Sequence, residues 1–154
     1  MTEALDKQLG CTCFKLRKLT RAMSRLYDQQ LAGVGLKTTQ YSVLVNAARA
    51  ALPVAELADR LGMERTTLTR NLKPLVDAGW IELMAGADSR QRIVTITGEG
   101  RAKVKQAYVA WRAAQDAFEQ LMGRDTVREL HRQLESTMTQ LTPLLEEASH
   151  AIAE

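Results

Sequence analysis

The stretch LADRLGMERTTLTRNL, residues 57–72, decides the fold: two short helical patterns meet at Gly62. Leu57, Leu61, Leu68, Leu72, Leu75 and Val76 recur at helical steps, which predicts one buried side on each helix. At roughly 100° per residue, Thr66, Thr67, Arg70 and Lys73 fall opposite that stripe. Hydroxyls and cations on an exposed helix suit phosphates and base edges, and they also suit plain water. The rest of the chain has to decide between the two.

With 154 residues, 45% of them hydrophobic, the chain is long enough for one folded unit with a helical extension. The net charge of +3 permits nucleic acid without arguing for it. Its distribution says more. Residues 1–31 carry six Lys/Arg against three Asp/Glu, whereas residues 101–154 carry seven against eight, so the basic surplus lies towards the amino-terminal part. No apolar run of about 18 residues and no signal-peptide pattern is present, which reads as cytoplasmic with no membrane partner.

Cys11 and Cys13 stand two apart, a spacing that points them to different sides of a helix and disfavours a mutual disulfide. His131 and His150 lack metal-ligand spacing with either cysteine. Glycine-rich phosphate loops, nucleophile elbows and His-Glu-x-x-His stretches are all missing, so neither an enzyme, nor a cofactor, nor a metal is expected.

Leu5, Leu9, Cys13, Leu16, Thr20, Met23 and Tyr27 recur at steps of three and four and predict one long helix over 4–31, ended by Gly33 and Gly35. Thr38 or Thr39 can cap a second helix with Tyr41, Leu44, Val45 and Ala48 on its buried side. Pro53 opens the helix-turn-helix, with Val54, Leu57, Ala58 and Leu61 inward and Gly62 in the turn. Pro74 lies on the exposed side of the second of these helices and predicts a bend towards its end.

After Gly79 the period becomes alternating: WIELM (80–84) and RIVTI (92–96) predict a hairpin whose tip is AGADSRQ. Thr97 can cap the next helix, in which Val104, Tyr108, Trp111, Phe118 and Leu121 repeat up to Gly123. A last helix from about Asp125 carries Val127, Leu130, Leu134, Met138, Leu141, Leu145, Ala148 and Ile152. Such stripes cannot be buried by single helices. A homodimer with interleaved flanking helices is the economical solution.

In order and length, these elements resemble the MarR family of winged-helix transcription regulators. ADRLGMERTTLTRNLKPLVDAGWIEL looks like the family's core, and DSRQRIVTITGEGR looks like its wing signature. The resemblance implies a mainly α fold: residues 36–97 as a winged helix-turn-helix with a small β-hairpin wing, residues 1–35 and 98–154 as dimerisation helices, and 1–154 as one domain. It implies that Asp88 braces the wing by pairing with a basic side chain and that Arg90 enters a minor groove. Narrow A·T-rich grooves favour such an arginine. With Arg90 and Arg92 on the wing, the candidate DNA contacts are Arg65, Thr66, Thr67, Thr69, Arg70, Lys73, Asp88, Arg90 and Arg92.

The expected activity is that of a homodimeric repressor bound to a pseudo-palindromic duplex operator and released by a small aromatic or anionic effector. In this family the effector pocket lies where the dimer helices meet the winged helix, which singles out Arg17, Tyr27, Tyr41 and Trp111. Position in the stripe makes Cys13 a small buried residue by default. LDKQLGCTCF and GLKTTQY, with Tyr27 fourteen residues after Cys13, are also similar to the organic-hydroperoxide-sensing branch of the family, in which the equivalent cysteine is oxidised. Arg17 stands where that branch has a second tyrosine. A third reading, of another class, is a winged-helix protein-interaction module without specific DNA binding.

Overall fold

The computed structural model describes residues 10–88 and 91–152. In chain order it contains α1 (Thr12–Leu31), a 3-10 turn (Ala32–Val34), α2 (Thr38–Arg49), β1 (Leu52–Pro53), α3 (Val54–Leu61), α4 (Arg65–Asp77), β2 (Ile81–Ala85), β3 (Arg92–Ile96), α5 (Gly98–Met122) and α6 (Arg124–Ile152). This is the mainly helical architecture with a small antiparallel sheet that a winged helix-turn-helix requires. Two compact units divide the chain, Met1–Ala114 and Gln115–Glu154.

In the first unit, α1 starts later than periodicity predicts. Gly10 sits in a turn and Cys11 has extended backbone, so the pattern over 4–31 is not one continuous helix; a glycine gives the chain freedom to break there. Leu5 and Leu9 lie outside the described residues. At its other end α1 passes into the 3-10 turn, and Gly35 closes it at φ +68°. Gly33 takes no such angle, so only one of the two glycines is conformationally required. Capping of α2 also differs from expectation. Thr38 is already helical, and the carboxylate of Asp28 on α1 accepts from both its backbone N–H and its hydroxyl at 2.7 Å. A carboxylate from a neighbouring helix thus replaces the local threonine cap.

The core centres on α2, which packs against α1, α3, α4 and β3. Being covered on several sides, it buries Val43 and Ala47 as well as Tyr41 and Leu44, while Val45 and Ala48 are half-buried. A one-sided stripe therefore describes this helix incompletely. Leu57 and Ala58 of α3 and Leu68, Leu72 and Leu75 of α4 complete the helix-turn-helix interior, with Gly62 at φ +60° between them. Leu61 is only half-buried and Val76 is 37% exposed, so the predicted stripe narrows at both ends.

The sheet has three strands in the order β1-β3-β2. β2 and β3 form the expected hairpin, with Ile81 opposite Ile96 and Leu83 opposite Val94. β1 adds Leu52 opposite Val94. Two residues are too few to show a period, which is why this strand escapes sequence reading.

Thr97 caps α5 as predicted: its Oγ1 accepts from Gly100 N–H at 3.0 Å and donates to the Gly79 carbonyl at 2.7 Å. The fully buried line of α5 is not the aromatic stripe but Gly100, Ala107 and Ala114 at steps of seven. Small residues there permit close backbone approach, leaving Val104 and Trp111 half-buried and Tyr108 52% exposed on the flank.

In the second unit, Gly123 at φ +83° separates the end of α5 from α6. Phe118 is half-buried and Leu121 is exposed. Val127 is buried, but Leu134, Met138, Leu141 and Leu145 are all 40% exposed or more, which leaves an apolar face in water. The side chains of Ala148 and Ile152 lie outside the described set. Among the described residues, no helix is long and apolar enough to cross a membrane.

Candidate nucleic-acid interface

α4 owes its orientation to Leu68, Leu72 and Leu75, which anchor it in the core at helical spacing. The opposite side therefore faces out: Arg65, Thr66, Thr69, Arg70 and Lys73 are exposed. Thr67 is half-buried. It lies roughly 100° from Leu68 around the helix and so sits on the flank, not opposite the stripe as expected. The helix runs through exposed Pro74 to Asp77, because the Arg70 carbonyl deprived of its usual donor lies on the open side.

Each polar group on this face differs in what it can offer. Arg70 makes no ion pair with any described residue, so its guanidinium fork is available for a bidentate acceptor. Lys73 Nζ pairs with Asp77 Oδ2 at 2.8 Å, both side chains being largely exposed. An exposed pair of this spacing contributes little and is readily exchanged for a phosphate. The Thr69 hydroxyl donates to the Arg65 carbonyl at 2.8 Å, which leaves its methyl and its lone pairs as the outward chemistry. A methyl at that place can meet the C5-methyl of a thymine.

Arg92 is the first residue of β3 and is exposed. Between β2 and β3 the tip is held by backbone bonds, Gly86 N–H to the Gln91 carbonyl and Gln91 N–H to the Asp88 carbonyl, each 2.9 Å. Asp88 is exposed at this tip, and Arg90 lies outside the described residues. Arg65, Thr69 and Arg92 also line a groove of about 220 Å³ between α4 and the wing, walled by Pro53, Leu72, Leu83 and Gln91. Sequence reading missed the groove's apolar walls, since their approach depends on β1 and on strand register. The two cations in it make the face electropositive.

A second concavity, of about 470 Å³, opens between α2 and α5. It brings together Tyr41 and Trp111, with ring centroids 6.3 Å apart, as the predicted effector residues. Arg17 and Tyr27 do not line it; instead Ser42, Asn46 and Tyr108 do. Their signal was present in the sequence only as spacing: Asn46 follows Ser42 by one turn and Trp111 follows Tyr108 by three residues. Burial and the neighbouring Tyr108 push the Tyr41 hydroxyl above its ordinary pKa, so it stays protonated. Cys11 and Cys13 are exposed in the single chain, and among the described residues of α1 the buried one, Leu31, lies at its carboxy-terminal end.

A family model described as the MarR family matches residues 34–91, the segment from the end of the 3-10 turn to the residue before β3. The uncharacterized HTH-type transcriptional regulator YwoH of Bacillus subtilis (strain 168) is 30% identical over 97 residues, 62% of this chain and 70% of the relative. Among solved structures, the M. tuberculosis transcriptional regulator MosR in complex with DNA is 35% identical, with a TM-score of 0.68 over 82% of this chain and 98% of its own. A mutant E. coli MarR complexed with operator DNA is 26% identical, with a TM-score of 0.69 over 79% of this chain and 89% of its own. The order of elements, the outward face of α4 and these likenesses agree: the chain belongs to the MarR family of winged-helix transcription regulators.

Proposed function

We propose that this regulator is a cytoplasmic homodimeric repressor that docks α4 in the major groove of a pseudo-palindromic operator, sets the wing on the adjacent minor groove and leaves DNA when a small molecule occupies the α2–α5 cleft. The observation that carries the DNA reading is the face of α4, where Arg65, Thr66 and Arg70 stand exposed beside Arg92. Arg70 and Thr66 read base edges, while Lys73, Arg65 and the wing arginines Arg90 and Arg92 meet phosphates or the minor groove, with Asp88 bracing the tip. Dimerisation through residues 1–35 and 98–154 is supported by apolar side chains left in water, Phe14, Leu16 and Leu19 on α1 and Leu134, Met138 and Leu141 on α6. A protein-interaction module is the weaker reading, because a cationic face aimed past the wing suits a polyanion.

Electrophoretic shifts of the protein on operator DNA test this reading. Affinity should fall steeply with added salt, as counterion release demands, and Arg70→Ala should weaken it. Binding that is indifferent to salt and to Arg70→Ala would refute it.

One observation favours a second trigger. Cys13 is exposed beside Cys11 at the amino-terminal end of α1, so packing within its own chain does not account for it. Thiol oxidation there would release DNA in place of a ligand. Organic hydroperoxide should then release the wild type but not Cys13→Ser, and reductant should restore binding. Equal responses of the two proteins would remove this trigger.

A further inference from the structure

We infer that the effector is an uncharged planar aromatic molecule bearing a hydrogen-bonding group, and not an aromatic carboxylate. This rests on the reading that a small molecule in the α2–α5 cleft releases DNA. The cleft, at about 470 Å³, falls within the range that holds drug-sized ligands. Three rings form one wall: Trp111 lies in the middle, 6.3 Å from Tyr41 and 5.8 Å from Tyr108, with interplanar tilts of 30° and 31°. Such an arc offers offset-stacked and edge-to-face contacts to a flat guest.

The polar groups are few and neutral. Tyr41 has a buried ring, yet its hydroxyl has no hydrogen-bond partner among the described residues, and no fully enclosed polar atom is left unpaired. That hydroxyl therefore reaches the open cleft. Asn46 Nδ2 donates to the Ser42 carbonyl at 2.9 Å, which orients the amide and leaves Oδ1 to accept from a guest.

Among the described residues, no Lys, Arg or His lines this cleft. A carboxylate entering it would shed water without gaining a counter-charge, and an uncompensated ion is costly to desolvate. The groove beside the wing is the opposite case, with Arg65 and Arg92 in its lining. An anion belongs there, on the DNA face, and not among the three rings.

The test uses the full chain, with 4-hydroxybenzamide and 4-hydroxybenzoate as probes near neutral pH. Trp111 fluorescence reports the cleft, and Trp111→Phe, which keeps Trp80, assigns the signal. Release of bound operator is read in parallel. The amide should quench Trp111 and release DNA at least about tenfold more tightly than the carboxylate. Tyr41→Phe, which keeps the ring, should weaken the amide several-fold, and Val104→Lys, adding a cation to the wall, should shift preference towards the carboxylate. Carboxylate binding as tight as amide binding, with Trp111 quenched, would overturn the ligand class and leave the effector reading standing. Release of DNA without quenching would overturn the site. Neither quenching nor release by either probe would overturn the class and the effector reading together.

Discussion

At Gly100 the fold tolerates no side chain. A Cβ there would enter the shell of the Trp80 carbonyl oxygen and lie 2.7 Å from Ile96 Cγ1, so the start of α5 rests directly on the base of the wing. Thr97 ties the same place together through Gly79 and Gly100. Gly100→Ala should gain a little helix propensity but force backbone apart, for a net loss of about 1 kcal/mol or more, read as a lowered melting temperature. Unchanged melting would mean the contact yields freely. On α4 the outward residues differ in kind. Arg70→Ala should cost about 1–3 kcal/mol of operator affinity and relax preference at one base pair, whereas Thr69→Val, which keeps the methyl, should change affinity little. Competition assays with single-base operator variants would separate the two. Arg70 and Thr66 were legible from periodicity alone, because three leucines fix the opposite side. Thr67 was misplaced since a stripe defines a line, and flank positions depend on how wide the neighbouring contact is.

Elements that pack on one side disclose their buried line in the sequence, and those enclosed on several sides do not. α4 and the hairpin show their periods cleanly. α2 does not, because four neighbours bury Val43 and Ala47 along with the predicted face. In α5, the large apolar residues form the more conspicuous pattern while Gly100, Ala107 and Ala114 are the buried line, which bulk hydrophobicity cannot reveal. The cap on α2 was missed for a related reason: Asp28 is ten residues away and belongs to another helix. Asp28→Ala removes two bonds and should destabilise the protein by about 1–2 kcal/mol in denaturant titrations, while leaving any DNA bound by the folded fraction at its usual affinity. For the wing, Arg90→Ala should weaken DNA binding without altering melting, as the exposure of the described neighbours Asp88 and Gln91 suggests. Collapse of thermal stability in that variant would assign the arginine a structural role.

Across the whole molecule, the sequence discloses the winged helix and the exposed polar face of α4, while the cleft depends on α2 meeting α5, whose ends lie 49 residues apart in sequence, and is visible there only as two of its rings. Apolar side chains exposed along α1 and α6, Phe14, Leu16, Leu19, Leu134, Met138 and Leu141 among them, are what the proposed second copy would cover. Leu141→Glu places a charge on the exposed face of α6 and should yield monomers in light scattering together with loss of operator binding. The central claim is that a two-fold pair of α4 helices reads duplex DNA. Selection of tight binders by the wild-type protein from random-sequence duplexes tests it most directly. It should enrich a pseudo-palindrome whose half-sites are centred about one helical turn apart, roughly 10 base pairs or a multiple of that spacing, and enrichment should vanish with Arg70→Ala. Recovery of no common sequence, or of a single half-site without two-fold symmetry, would contradict it.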